Sequence, residues 1–334
     1  MADEGKVSPL RKLNLVFRFS YTLAFMFASV CGVVFAYANY DVPIHIAVLI
    51  PLTVLFMALF VNFSNDYYDS ISGVDDLRFQ HAAEGMIKDI EESPLLKRIY
   101  WDGNPVNNGL VTKEQAKLIM VFLVAVCILL SIPIILYGGW IVIVFGAVGL
   151  LIAFFYTAPP VNLGARGLGE IAVGLSFFMM VFASYYVATI VNGGWNIPAL
   201  DGVWNVEIFV FAVLIGLLVA LMRLVDSMSG QDAHIKAGEK SISVRLGLDG
   251  MIPVIRIFII AGYIVAVIML YFDLTYLLLF LTLPLSIGGW KLLSKREPYW
   301  EVKLAPVMFL TAFLTEMLFI IIQVVQVFFT YSLF

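Results

Sequence analysis

Nine long runs of apolar residues, separated by polar stretches, make up most of the chain. They cover residues 15–39, 44–66, 115–137, 140–157, 168–192, 207–226, 251–272, 274–292 and 304–328. A helix needs about 20 apolar residues to cross the hydrocarbon core of a bilayer. The pattern therefore predicts an all-α integral membrane protein with nine transmembrane helices.

The cationic residues predict how the chain is oriented. With the N-terminus inside, nine crossings place all 20 Lys and Arg residues on or beside the cytoplasmic side, as the positive-inside rule requires. The first run is too long for a signal peptide and carries Arg18 in its first turn. We expect a multi-pass protein of the cell membrane with two long cytoplasmic loops, at about 67–113 and 227–250.

Composition narrows the class further. The 334 residues are 62% hydrophobic and 13% charged, so we expect a single transmembrane domain over 1–334 and no separate soluble domain. The net charge of −4 argues against a nucleic-acid partner. Cys31 and Cys127 lie in apolar runs, which argues against a disulfide framework or a cysteine metal site. The sequence shows no sign of an obligate protein partner.

An acidic stretch ends the second apolar run. On a helix Asn62, Asp66 and Asp69 would share one face, and a turn at Gly73 would bring Asp75 back toward it. Carboxylates this close repel one another unless a cation lies among them, and Mg²⁺ binds such oxygens together with substrate phosphates. The pattern favours a magnesium site over a merely solvated helix end.

A second mixed stretch, 223–241, follows the sixth run. Asp226 and Asp232 are roughly 240° apart on a regular helix, so they share a site only if the helix breaks near Gly230. An ordinary charged cytoplasmic loop is the alternative. The cations that would neutralise phosphate oxygens here are Arg223, Lys236, Lys240 and Arg245.

A third stretch joins the fourth and fifth runs. Pro159 and Pro160 end the fourth run, and Glu170 lies in the first turn of the fifth, where a carboxylate suits a helix N-terminus. Arg166 pairs either with Glu170 or with a diphosphate. Together, the three stretches favour a substrate with a diphosphate head and a hydrocarbon tail.

These motifs are similar to those of a known family. The stretch from Asn65 to Asp69, with Gly73 and Asp75, resembles the NDxxD…GxD signature of the UbiA superfamily of intramembrane prenyltransferases. It looks most like the branch of 1,4-dihydroxy-2-naphthoate polyprenyltransferases. Three further segments resemble that branch: 108–112, 166–170 (RGxGE) and 238–247.

The resemblance implies a nine-helix horseshoe around a central cavity, with polar caps over its cytoplasmic mouth. It also implies two Mg²⁺ ions beside a prenyl diphosphate, the first held by Asn65, Asp66, Asp69 and Asp75. At the second motif, the two positions where the family has Asp are Gly230 and His234 here. Asp226 and Asp232 would be ligands only if this loop has gained residues.

The implied reaction transfers the prenyl group to an electron-rich carbon of an aromatic acceptor and releases diphosphate. We predict catalytic roles for four residues: Asp66, Asp69, Arg166 and Lys240. We predict substrate contacts for six: Asn62, Asn65, Tyr156, Arg223, Lys236 and Arg245. The predicted metal ligands are Asn65, Asp66, Asp69, Asp75, Asp226 and Asp232.

Two other functions stay open. One is prenyl transfer to a glyceryl phosphate in ether-lipid synthesis, against which the RGxGE turn argues. The other is a cation-coupled transporter, in which charges usually lie near the bilayer midplane. We expect the acidic residues of this chain to cluster at one membrane edge, which disfavours transport.

Overall fold

The structure is a computed structural model. It describes residues 13–14, 16–73, 104–158, 160–190, 202–229, 231–236, 238–297 and 300–332, and in these ranges the regular structure is entirely helical. A 3₁₀ segment, Leu274–Thr282, leads directly into α9. The helices are α1 (Phe19–Asn39), α2 (Ile44–Ser72), α3 (Lys113–Gly138), α4 (Trp140–Thr157), α5 (Gly169–Ala188), α6 (Val206–Ser229), α7 (Gln231–Lys236), α8 (Ile242–Met269), α9 (Leu283–Lys295) and α10 (Trp300–Ser332).

Eight helical segments in the described part of the chain are long and apolar enough to cross a membrane. The 3₁₀ segment and α9 count together as one of them. The fourth predicted run forms α4, which has 18 residues and is the shortest apolar helix of the set. The protein is therefore an integral, multi-pass membrane protein, and the ninth crossing stays a prediction.

The helices extend into both segments that were expected to be cytoplasmic loops. α2 continues to Ser72, so Asp66 and Asp69 lie on its last turns, on a helix as expected. The turn at Gly73 is confirmed, since this residue has φ +75° and donates its N–H to the carbonyl of Asp69. The expected loop 227–250 instead contains the end of α6, all of α7 and the first turns of α8.

Small residues bring the central helices close together. At Gly32 of α1, a Cβ atom would lie 2.0 Å from the carbonyl oxygen of Val181 in α5. Gly174 of α5 and Gly216 of α6 face each other, with a Cβ on the first lying 2.9 Å from the carbonyl oxygen of the second. Close backbone contact of this kind is a main source of helix association in membranes.

Acidic residues are not confined to one edge of the membrane, contrary to expectation. Glu316 lies midway along α10, is 1% exposed, and its carboxylate oxygens make no hydrogen bond with any described residue. Glu207, in the first turn of α6, accepts a hydrogen bond from the hydroxyl of Tyr276 at 2.5 Å. Clustering of the acidic residues at one membrane edge therefore no longer counts against a transporter.

Candidate functional site

A large cavity, of about 1200 Å³, opens among the first six helices, with His234 of α7 and Arg245 of α8 at one end. Along α2 its lining extends from Ile50 to Ile71, about 32 Å at the rise of an α-helix. The lining positions on this helix recur every three or four residues, as one face of a helix requires. They are Ile50, Thr53, Val54, Met57, Ala58, Val61, Asn62, Asn65, Tyr68, Asp69 and Ile71.

The charged lining residues come from helix ends and connecting turns that meet at one end of the cavity. Five are cations and three are carboxylates: Arg18, Arg166, Arg223, Lys240, Arg245, Asp69, Asp226 and Glu239. The remaining wall is mainly apolar and aromatic. Such a cavity suits an anion that carries a long apolar tail.

The amide of Asn65 and the carboxylate of Asp69 form a pair on the cavity face of α2. The side-chain N–H of Asn65 donates to Asp69 Oδ2 at 2.7 Å, one helical turn away. Asn62 also lines the cavity, and its amide donates to the hydroxyl of Thr22 in α1 at 2.9 Å. These three predicted site residues therefore meet at the charged end.

Asp66 faces away from the cavity. It is 1% exposed, its carboxylate lies 2.7 Å from a guanidinium nitrogen of Arg18, and its carbonyl accepts a hydrogen bond from Asn104 at 2.6 Å. On a regular helix the lining positions of α2 lie on the Asn65 side of Asn62, whereas Asp66 lies about 40° from Asn62 on the other side, just outside the cavity face. The expected common face of Asn62, Asp66 and Asp69 is corrected accordingly.

Arg223 links α4 to α6 at the charged end. Its Nε donates to the hydroxyl of Tyr156, and its Nη1 donates to Asp226 Oδ2 at 2.9 Å. All three side chains line the cavity, and their predicted roles in binding substrate and metal stay predictions. The guanidinium is thus held in place from two sides, and Asp226 has a cation rather than an empty coordination site beside it.

The short helix α7 presents a different residue from the ones predicted. Asp232 and Lys236 are exposed and do not line the cavity, whereas His234 between them is 8% exposed and does. Two residues along a helix are a rotation of about 200°, so His234 lies on the opposite face from both. The expected contacts of Asp232 and Lys236 with a metal and a diphosphate are corrected to positions outside the cavity.

Two polar turns, at 162–168 and 238–245, are hydrogen-bonded to each other at the charged end of the cavity, and we call them the locked turns. The N–H of Lys240 donates to the carbonyl of Ala165 at 2.7 Å. The guanidinium of Arg245 donates to the carbonyls of Arg166 and Lys240, each at 2.8 Å. At Gly167, which has φ +78°, a Cβ atom would lie only 2.8 Å from the Lys240 carbonyl oxygen. The turns bring three cationic side chains to one place.

Arg166 does not need Glu170 to hold its position. Its guanidinium donates to the carbonyl of Pro160 at 2.8 Å, while Glu170 lies buried in the first turn of α5. The pairing of Arg166 with a diphosphate stays a prediction. Pro159 lies outside the described residues, and α4 ends at Thr157 as expected near this pair of prolines.

The residues present fit a magnesium ion that is shared with a substrate. Among the described residues no three His, Cys, Asp or Glu side chains lie close enough together to hold a metal alone. Asn65 and Asp69 nevertheless offer an amide and a carboxylate at the cavity end, and Mg²⁺ typically takes one or two such protein ligands with substrate phosphates. Asp75, the remaining predicted ligand of the first motif, lies outside the described residues.

Three cavity residues were missed by the sequence reasoning as site residues. Arg18 was noted only as a charge in the first turn of an apolar run, which is an unusual position and was the available signal. His234 was noted only as the residue that replaces an acidic one, and Glu239 was not singled out. For Glu239 the signal would have been its place within the segment 238–247.

The fold and the site define a class of protein: a membrane-embedded enzyme for an amphipathic anion. Residues 24–314 match the UbiA prenyltransferase family, and the chain therefore belongs to that family of enzymes. The resemblance seen in its motifs is confirmed.

Two characterised relatives are similar in sequence. The 1,4-dihydroxy-2-naphthoate octaprenyltransferase of Bacillus subtilis is 23% identical over 229 residues, 68% of this chain and 63% of the relative. The 2-carboxy-1,4-naphthoquinone phytyltransferase of Synechocystis is 23% identical over 217 residues, 65% of this chain and 60% of the relative. The matched part of the chain thus spans less than two thirds of either relative.

Solved structures share the fold. A UbiA homolog from Archaeoglobus fulgidus bound to GPP and Mg²⁺ has a TM-score of 0.65 at 16% identity, covering 95% of this chain and 99% of that one. A structure of digeranylgeranylglyceryl phosphate synthase has a TM-score of 0.58 at 17% identity, covering 93% and 97%. At these identities the likeness establishes the fold alone.

Proposed function

We propose that the protein transfers a polyprenyl group from a prenyl diphosphate to an aromatic quinone precursor such as 1,4-dihydroxy-2-naphthoate, and releases diphosphate. The observation that carries this is the cavity: charged at one end and mainly apolar along α2 from Ile50 to Val61, about 17 Å. The names of the two relatives, both of which act on naphthalene-ring acceptors, support the choice of acceptor.

Magnesium is the proposed cofactor, with two ions in the complete site. Asn65 and Asp69 would hold one of them at the charged end of the cavity, and the Mg²⁺-bound Archaeoglobus homolog supports this metal. When bound, the ion neutralises charge on the phosphate oxygens of the departing diphosphate.

The cations of the cavity end stabilise the leaving group. Negative charge develops on the diphosphate as the allylic C–O bond breaks, and fixed positive groups lower the energy of that state. Arg223 is already oriented by Tyr156 and Asp226. Lys240 and Arg245 are positioned by the locked turns, so little reorganisation accompanies the reaction.

The wall of the cavity protects the electrophile. Phe25 and Phe177 both line it, with ring centroids 4.6 Å apart, and Tyr68 and Tyr156 lie nearer the charged end. Aromatic faces attract a cation, and an apolar wall keeps out the water that would quench it. The ring of the acceptor then attacks the prenyl carbon and afterwards loses a proton or its carboxylate.

The arrangement in the membrane is part of the proposal. We infer nine crossings, with α4 as the ninth, in a horseshoe around the cavity, and the N-terminus and active site facing the cytoplasm. The supporting argument is that nine crossings from a cytoplasmic N-terminus would place every Lys and Arg on or beside one side, as the positive-inside rule requires. The locked turns at 162–168 and 238–245 would form part of the polar cap.

The test uses purified protein in detergent with Mg²⁺, labelled geranylgeranyl diphosphate and 1,4-dihydroxy-2-naphthoate. We expect a lipid-soluble prenylated naphthoate product that EDTA abolishes. Asp69→Asn removes the product, whereas Asp249→Asn, which changes an exposed carboxylate paired with Arg296, leaves it intact. Product that persists in EDTA or in Asp69→Asn would refute the proposed site.

The same assay separates the other functions. Product with a glyceryl phosphate acceptor, and none with the naphthoate, would assign the protein to ether-lipid synthesis. Neither prenylated product nor diphosphate release, in folded protein with several prenyl chain lengths, would favour the transporter. The detergent format is decisive because turnover by an enzyme needs no sealed vesicle.

A further inference from the structure

We propose that His234, held by Glu239, supplies a nitrogen ligand to the second divalent cation of this site. The position then binds a borderline metal such as Co²⁺ or Zn²⁺ more tightly than Mg²⁺. The inference rests on the proposed function, because a diphosphate is needed to complete the coordination.

The two side chains form a pair built by the end of α7. After α7 the chain turns at Gly238, which has φ +74°, and the N–H of Glu239 donates to the carbonyl of His234 at 2.9 Å. This turn brings the Glu239 carboxylate back to His234, with Oε2 2.6 Å from Nδ1. Both residues line the cavity.

The second ring nitrogen of His234 has no partner. His234 is only 8% exposed, and its Nε2 atom is buried without a hydrogen bond to any described residue. Buried polar atoms are nearly always satisfied by protein, water or an ion, so Nε2 is available to an ion at this end of the cavity. With Nδ1–H donating to Glu239, the lone pair of Nε2 is the one that remains to bind a metal.

A carboxylate behind a histidine is the arrangement that metal sites use. It fixes the tautomer and the ring orientation, and it raises the basicity of the ligating nitrogen. The pair at Asn65 and Asp69 offers oxygen atoms only. The two ends of the site therefore differ in donor chemistry, and nitrogen favours the later transition metals, whereas oxygen suits Mg²⁺.

The site is incomplete without substrate oxygens. Among the described residues no third His, Cys, Asp or Glu lies close enough to join the pair in a metal site. Lys240 and Arg245 line the same end of the cavity and would hold a diphosphate there. Metal and diphosphate should therefore bind together, each strengthening the other.

The first test is spectroscopic and needs no turnover. The full chain in detergent is loaded with Mn²⁺ and inorganic pyrophosphate, and electron spin-echo modulation is recorded for imidazole nitrogen coupled to the metal. We expect that signal in the wild type, its loss in His234→Gln, and its retention in His45→Gln, which changes an exposed histidine in the first turn of α2. Isotopic labelling of histidine with ¹⁵N identifies the nitrogen.

Two further variants test the metal preference. His234→Asp makes the position all-oxygen, and we expect the ratio of Co²⁺ to Mg²⁺ affinity, measured with pyrophosphate, to fall at least about tenfold. Glu239→Gln keeps the ligand but weakens its support, and we expect metal affinity to fall about 10- to 100-fold. Size-exclusion profiles establish that each variant is folded.

Each outcome decides between the two proposals. A nitrogen signal absent from wild type, or still present in His234→Gln, overturns the histidine ligand, as does an unchanged metal ratio in His234→Asp. Naphthoate product without a nitrogen signal leaves the proposed function standing and removes this inference. A nitrogen signal without any prenylated product leaves the histidine ligand standing and overturns the proposed function.

Discussion

Two aspartates three residues apart in α2 have different surroundings. Asp69 lines the cavity with Asn65, whereas Asp66 is buried against Arg18 behind it. We expect Asp69→Asn to abolish turnover without changing the melting temperature in detergent. Asp66→Asn should lower stability by about 1–2 kcal/mol, a modest loss because Arg18 is 43% exposed and partly solvated.

Thermal melting and turnover of the two variants, measured side by side, check this assignment. An unchanged melting temperature with lost turnover in Asp66→Asn would show that Asp66 is a ligand after all. Arg18→Gln is the matched partner change. If the ion pair is the reason for the effect, the double variant should be no less stable than Asp66→Asn alone.

The sequence allows better prediction of which residues belong near the site than of which side chains face the cavity. Asn65, Asp69 and Arg223 were predicted as site residues and line the cavity. Asp66 and Asp232 were predicted with them and do not. The difference is where the edge of the cavity face falls around each helix: Asp66 is only about 40° from Asn62, which lines the cavity. That edge is set by packing against neighbouring helices and is not visible in the spacing of polar residues alone.

At the scale of elements, the crossing of α1 and α5 depends on Gly32. A Cβ atom there would lie 2.0 Å from the Val181 carbonyl oxygen, which cannot move without shifting α5. We expect Gly32→Ala to destabilise the protein by about 1–3 kcal/mol, as overpacking does. Gly288→Ala is the control, since a Cβ at that position meets nothing within 4 Å. Equal melting temperatures for the two variants would contradict the close contact.

The locked turns predict a change in substrate binding rather than in stability. Gly167→Ala places a methyl group 2.8 Å from the Lys240 carbonyl at a residue with φ +78°. The turns should separate and displace Arg166 and Lys240, so that KM for prenyl diphosphate rises about tenfold or more. Gly109→Ala is the control variant. Gly109 also has a positive φ, +69°, but a Cβ atom there would meet nothing within 4 Å, and the residue does not line the cavity.

Kinetics and melting curves of both variants check that prediction. A similar rise in KM for Gly109→Ala would show that any strained glycine disturbs the protein.

The bounds of the helices could be predicted only in part, because hydropathy marks the apolar part of a helix and not the residue at which the helix ends. α2 therefore continues six residues beyond its apolar run, through the very residues that carry the chemistry.

At the scale of the whole molecule, the order of helices and the family could be predicted because membrane spans and short motifs are local in sequence. The cavity could not be predicted, because its wall comes from eight helices and depends on how they rotate and tilt. The depth of that cavity sets the next expectation, since the prenyl chain must fit along it.

Gly146 offers a place to shorten the cavity. It lines the wall on α4, ten residues before Tyr156, so it lies about 15 Å from the charged end at the rise of a helix. A Cβ atom there meets nothing within 4 Å, and a larger side chain would therefore occupy cavity space without forcing the helices apart. Gly146→Leu should leave stability nearly unchanged while blocking the path of a long chain.

We expect Gly146→Leu to retain kcat/KM for geranyl diphosphate and to lose about tenfold or more for chains long enough to pass this point. Turnover with a series of prenyl diphosphates of increasing length, compared with Gly288→Leu on the remote helix α9, measures the effect. A loss that is equal for every chain length would mean that the tail does not run along α4. A loss that begins at one length and grows beyond it would locate the tail in this cavity, because only a chain that reaches Gly146 can meet the new side chain.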